Sequence, residues 1–383
     1  MRSRPAFVAV GLVVLGTLAA AVMSSPFGFL GEARGGENQS TEGLPSPAPP
    51  PDPVGGTVIA TIAVGSLPVG VAYDSGNGYV YVANYGSNNV SVISGTEVVA
   101  MVPVGRGPYG LAYNSRNGYV YVADNQENSV TVISGTTVVA TVPVGVNPEG
   151  VGSDGGNGYV YVADFSSSAV SVIDGTTVVG TIPVGTYPAG VGYNSGNGYV
   201  YVADSTTVSV ISGTTVVATV PVGGIGVAYN SGNGYVYVTN SNNVSAISGT
   251  ELVATVPVGL RPMGLAHDSG NGYVYVANTG SDNVSVISGT TVVATVPVGD
   301  GPIGVAYESG NGYVYVTNDN SNNVSVISTT TPSPWSPPSI FLGLPAAEGY
   351  ALLAGIVIVV VAVGVVFAIR RVRRKRRAPS TPP

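Results

Sequence analysis

The chain has 383 residues, a formal net charge of −7, 55 glycines, 23 tyrosines, one histidine and no cysteine, which excludes disulfides, thiolate metal sites and a cysteine nucleophile. Between residues 57 and 328, 15 acidic residues stand against three arginines, Arg106, Arg116 and Arg261, a balance of −12. A body so poor in cations cannot neutralise a phosphate backbone, so no nucleic-acid partner is expected.

Residues 1–34 begin Met-Arg-Ser-Arg and run into an apolar stretch from Ala6 to Met23, the pattern of an export signal. Ala19 to Ala21 and Ser24-Ser25 offer cleavage points without a decisive small-x-small site, so a cleaved signal and a retained N-terminal anchor both stay open. Residues 35–56 contain LPSPAPPPDPVGG and read as a proline-rich spacer.

From residue 57 to residue 328 one pattern recurs. Tyr-Val-Tyr-Val strands start at Tyr79, Tyr119, Tyr159, Tyr199, Tyr235, Tyr273 and Tyr313, at spacings of 40, 40, 40, 36, 38 and 40. The copy Pro108 to Gly145 holds four strand signals, GLAY, YVYVA, VTVIS and TVVATVPV, named A to D. Asn117-Gly118 and Ser134-Gly135 supply the tight turns from A to B and from C to D. Strand B sends Tyr119 and Tyr121 one way and Val120 and Val122 the other, so both sheet faces must be covered. Pro143, repeated as Pro103, Pro183, Pro221, Pro257 and Pro297, makes D the outer strand, because proline removes a ladder donor. A four-stranded unit of this length with two apolar faces is a propeller blade, and the sequence predicts an all-β, seven-bladed β-propeller. The region opens on a lone D-type strand, Thr57 to Gly65, and ends on a C-type strand, Val324 to Ser328. The first strand is therefore expected to complete the last blade, a one-plus-three closure.

These strands resemble the YVTN β-propeller repeats, whose tetrapeptide stands at Tyr237-Val238-Thr239-Asn240 and Tyr315-Val316-Thr317-Asn318. The P-x-G-V-A-Y, N-V-S-V-I-S and T-V-P-V-G blocks are similar to that family as well, over residues 57–328. The resemblance implies an exported protein associated with a cell surface or surface layer. The Ser-Gly-Thr turn departs from the family's Ile-Asp-Thr except at Ile173-Asp174-Gly175, which weakens transfer of any specific activity.

Residues 329–349 form a Ser/Thr/Pro-rich stalk, and Tyr350 to Ile369 is an uncharged stretch that as a helix would span about 30 Å, the thickness of a bilayer core. Residues 370–383 carry seven Arg and Lys residues from Arg370 to Arg377, which by the positive-inside rule place this tail in the cytoplasm. The expected arrangement is a single-pass cell-membrane protein with the propeller outside.

Length changes between copies fall in the B-to-C and D-to-A loops, which share one face of a propeller, and shortened loops near blades four and five predict a notch in that rim. Candidate contact residues beside it are Arg106, Tyr109, Asn147, Glu149, Phe165 and Tyr187. Asn-x-Ser sequons at Asn89, Asn243, Asn283 and Asn323 occupy the same B-to-C position, with another at Asn38, and are candidate glycosylation sites.

The only histidine, His267, fills a position held by tyrosine in five other copies, so it reads as scaffold rather than as a general base. The Asn318 to Asn323 loop lacks the carboxylate spacing of a calcium loop. No metal, cofactor, catalytic residue or enzymatic activity is expected from this inventory. The expected function is a cell-surface structural or interaction module binding protein, glycan or its own copies. The alternative is an exported lactonase- or lyase-like enzyme, or a ligand sensor, with its site at the mouth of the channel. The low density of charge further predicts a stability that depends weakly on pH.

Overall fold

The computed structural model describes residues 56–329 and the pairs 340–341 and 344–345. The expected export signal, most of the spacer, the transmembrane stretch and the basic tail lie outside the described residues. No helix among the described residues is long and apolar enough to cross a membrane.

Seven four-stranded antiparallel sheets make up the propeller. Blade one takes its strands in sequence order, A Pro68–Asp74, B Tyr79–Asn84, C Asn89–Ser94 and D Glu97–Pro103. Blades two to six repeat that order. Blade seven draws strands A to C from Pro302–Glu308, Tyr313–Asn318 and Asn323–Ser328, and its fourth strand is Thr57–Ala63. That strand runs antiparallel to strand C, with Thr57 opposite Ser328 and Ala63 opposite Asn323. Ala63 thus has the ladder position that Pro103 holds opposite Asn89 in blade one.

The repeated Tyr-Val-Tyr-Val strand has a mechanical reason. Its second tyrosine is fully buried, and in blade one the Tyr81 hydroxyl accepts from Asn77 Nδ2 at 3.0 Å and donates to Gly135 O of blade two at 2.9 Å. Tyr121, Tyr161, Tyr201 and Tyr237 reach Gly175, Gly213, Gly249 and Gly289 in the same way, and Tyr315 reaches Gly95 from blade seven back to blade one. Tyr275 faces blade seven, where the turn from C to D is interrupted, and among the described residues its hydroxyl has Asn271 alone. In six of the seven blades strand B is therefore both core and inter-blade tie.

Valines on the two faces of each sheet build the core between blades rather than within them. Val90, Val92 and Val102 of blade one pack on Leu111, Val120, Val122 and Ile133 of blade two. The ring closes where Ile62, Val324 and Val326 meet Val80, Val82 and Ile93. At the axis the inner strands touch backbone to backbone. A Cβ added to Gly150 would lie 1.9 Å from Ala189 O, so only glycine permits that approach.

Candidate functional site at the upper channel mouth

In every blade but the fifth the D-to-A loop rests on the B-to-C loop, as in blade two, where Asn125 N donates to Gly107 O at 3.0 Å and Gln126 N to Arg106 O at 3.1 Å. Both loop types therefore lie on one face, the upper face. Just below them, the residue preceding each inner-strand glycine forms a ring around the channel: Val69, Tyr109, Glu149, Ala189, Ile225, Met263 and Ile303. Five of these are apolar. Tyr109 and Glu149 break the pattern, and both belong to strands A, Pro108–Asn114 and Pro148–Ser153, rather than to the loops before them.

Glu149 is half-buried, and among the described residues no hydrogen-bond donor or cation meets its carboxylate. Burial alone pushes it up to about 7, because a low-dielectric setting disfavours the charged form. Tyr109 is pushed up by burial first and then by the negative charges of Glu149, Tyr85 and Asp319. Its ring meets Tyr85 edge-on at 6.3 Å, and Gln126 Nε2 holds the Tyr85 hydroxyl at 2.8 Å. Asp319 of blade seven is itself pushed up by burial. The mouth thus joins a carboxyl group that can take up and release a proton near neutrality with a phenol that stays protonated and can donate.

The other sequence candidates divide by what they touch. Arg106 Nε pairs with Glu127 Oε1 at 3.0 Å in an exposed ion pair. Asn147 donates to Asn125 O and accepts from Ser166 Oγ, so its side chain ties two upper loops together. Phe165 and Tyr187 stack at a centroid distance of 5.1 Å on the rim. Tyr85 and Asp319 were missed. Tyr85 could have been found, since it is an aromatic residue off the repeat pattern in an upper loop.

The sequon asparagines Asn89, Asn243, Asn283 and Asn323 are half-buried at the start of strand C. In blade one, buried Asn84 donates through Nδ2 to Asn89 Oδ1 at 2.8 Å and to Ser91 Oγ at 2.9 Å. Asn278 and Asn318 do the same to Asn283 with Ser285 and to Asn323 with Ser325, while Asn240 donates to Ser245. Blades two to four end strand B in aspartate, which only accepts. There Asp124 takes bonds from Thr131 and Ser129, Asp164 from Ser171, and Asp204 from Ser209 and Thr207. The sequons therefore follow the end of strand B, an asparagine donor calling for an acceptor beside it. Asn38 lies outside the described residues.

At the lower end of the channel His267 stands opposite Val274, in the register of Tyr113 opposite Val120. Its Nε2 is buried without a hydrogen-bond partner, and burial lowers its pKa against the opposing pull of Asp268.

No protein-family model matches the chain, and no curated protein matches it in sequence. Solved structures do share its fold. Hydrazine synthase from Kuenenia stuttgartiensis aligns at a TM-score of 0.62 and 21% identity, over 70% of this chain and 96% of that one. Virginiamycin B lyase from Staphylococcus aureus aligns at 0.63 and 13%, over 70% and 98%, and a streptogramin B lyase at 0.62 and 14%, over 70% and 96%. At these identities the likeness is one of fold, a seven-bladed propeller with neighbours of the streptogramin B lyase type. The expectation that the chain is not an enzyme is corrected by this finding. It rested on the scarcity of histidine, yet the three structures named here, each aligned over nearly its whole length, are enzymes. A carboxyl group can perform general acid–base proton transfer without histidine.

Proposed function

We propose that the propeller takes a small ligand at the upper mouth of its channel and acts on it as a lyase-like enzyme, with Glu149 as the base. The observation that carries this reading is the half-buried Glu149 carboxyl, free of any protein donor or cation among the described residues, beside Tyr109 in an otherwise apolar ring. The reaction class that suits the pair is elimination next to a carbonyl. Glu149 removes the proton from carbon, the carbon–hydrogen electron pair becomes the new double bond, and the leaving group departs with a proton from Tyr109. The proton on Glu149 then returns to the phenolate. The fold shared with two lyases supports the reading.

An exported, membrane-tethered setting, read from the chain ends, belongs to the same proposal, with the mouth displayed outside the cell to ligands there. Protease treatment of intact cells tests it: a propeller shielded until the membrane is broken counts against an outward display.

The activity is tested by incubating the protein with a panel of cyclic depsipeptides, lactones and esters and following products by mass spectrometry. Expected are turnover without incorporation of water, a rate rising through about pH 7 as Glu149 ionises, and loss of at least a hundredfold in Glu149→Gln. Turnover unchanged in Glu149→Gln removes the residue from the mechanism, and products carrying solvent oxygen assign a hydrolase instead.

A further inference from the structure

Among the described residues of the propeller, 56–329, four aromatic side chains fall outside the repeat positions: Tyr85, Tyr109, Phe165 and Tyr187. All four lie at the upper face of blades one to four, in two contacting pairs. The Tyr85–Tyr109 pair belongs to the mouth. The Phe165–Tyr187 pair stands on the rim, where Tyr187 is 55% exposed, and Phe165 N donates to Asn147 O two residues before Glu149.

Three features single out this rim. First, Tyr187 has φ of +54°, a conformation that glycine and asparagine adopt readily and a bulky side chain does not. The same loop position is Gly107, Asn147 and Gly301 in blades two, three and seven, and Leu67 and Arg261 in blades one and six at φ of +52° and +51°, so the loop imposes this conformation and Tyr187 is the one aromatic side chain it presents. Second, stretches 165–168, 184–187 and 205–207 contain no charged residue. They present hydroxyls instead, with Thr186 Oγ1 and Ser205 Oγ 2.9 Å apart. Third, the next D-to-A loop is braced against blade four: a Cβ on Gly223 would lie 2.2 Å from Ser205 O, and Gly224 N donates to Asp204 O at 2.9 Å, which fixes the hydroxyl-bearing loop beside Tyr187.

We infer that the Phe165–Tyr187 pair is a stacking platform for a sugar ring, and that the upper rim over blades three and four binds a neutral saccharide chain. Aromatic faces receive the axial carbon–hydrogen face of a pyranose, and uncharged hydroxyls exchange hydrogen bonds with its hydroxyl groups. The acidic body has no cation on this rim to hold a phosphate or a sulfate, which selects against nucleotides and polyanionic glycans. The inference names a ligand class for the face on which Glu149 lies, but binding at the platform does not require proton transfer at Glu149, so binding and turnover are read separately.

The test is calorimetric titration of the full-length protein, in a detergent without a sugar headgroup, with chitohexaose, cellohexaose, xylohexaose, mannohexaose and maltohexaose. At least one of these is expected to bind. Tyr187→Gly is expected to weaken it tenfold or more with no fall in the unfolding midpoint, which separates lost contact from lost fold. Phe165→Leu should weaken it as well, while Ser115→Ala on the lower face leaves it unchanged. Should Tyr187→Gly fail to fold, Tyr187→Asn takes its place with the same expectation. The proposal is overturned if none of the five oligosaccharides binds, or if the Tyr187 variants bind as tightly as the wild type. It is equally overturned if a peptide library, and no sugar, shows Tyr187-dependent binding, which gives the rim to a protein partner.

Discussion

Asp124 is buried with no cation beside it, its Oδ2 held by Thr131 and Ser129 and its Oδ1 without a partner. Burial pushes it up to about 6. A carboxyl whose folded value lies above its unfolded one contributes stability that is complete below about pH 4 and lost as pH rises through about 6. Blade one shows the neutral solution, with Asn84 and Asn89 at the two positions. The double change Asp124→Asn with Ser129→Asn should therefore stabilise the fold at pH 7.5 by up to about 3 kcal/mol and do little at pH 4. Denaturant titrations at both pH values check it, and equal gains would show that the charge is not the cause.

A second residue-scale coupling sits on the lower face. In most blades a tyrosine of strand A lies against a glycine of the preceding blade, as Tyr113 does 2.5 Å from a Cβ built on Gly76. Blade three has Ser153 instead, and only before it is that glycine replaced, by Arg116, which donates to Gly155 O and Gly156 O. Ser153→Tyr alone should cost about 1–3 kcal/mol through overpacking against the arginine. Combined with Arg116→Gly it should cost little, and additivity of the two changes would refute the coupling. His267, shorter than tyrosine, comes nowhere near Gly232, whose added Cβ would meet only Asn230 Oδ1.

At the scale of the strands, glycines of one chain do two different jobs. Gly150 lets two inner strands approach, whereas Gly135 has φ of +58° with nothing within 4 Å of an added Cβ. Gly150→Ala should therefore destabilise by more than about 3 kcal/mol, and Gly135→Ala by about 1 kcal/mol from backbone strain alone. Similar losses in thermal unfolding would mean that the inner ring relaxes. The strand sequence, the outer placement of the proline strands and the common face of the variable loops were legible, because period-two burial, Asn-Gly turns and a missing ladder donor leave local marks. The close approach at Gly150 was not, since it depends on the neighbouring blade. Glu149 and Tyr109 were singled out as loop residues near a notch. Their ring around the channel emerged only when seven inner strands were set side by side.

The whole propeller carries a pH response that a count of charges does not foresee. Asp124 and Asp164 are each pushed up to about 6 and Glu149 to about 7, with Asp204 shifted the same way, all by burial. Because every one of these shifts is upward, the molecule should be most stable in mild acid and lose stability between about pH 4 and pH 7.5. The weak dependence expected from composition and this directional one differ in outcome. Melting curves across that range decide between them, and a flat or rising profile would count against buried, unpaired carboxyl groups.

Because blade seven is sewn together from the two extremes of the propeller, Gly56 and Ser328 lie side by side where other blades have the turn from C to D. The described propeller thus begins and ends at one point on the lower face, opposite the upper mouth. Tension applied through both flanks would peel Thr57–Ala63 from its partner strand one rung at a time, like a zip opened from its end rather than a seam torn across. The propeller has a soft mechanical release where its two ends meet, and shortening the first strand would lower the force at which the wheel comes open.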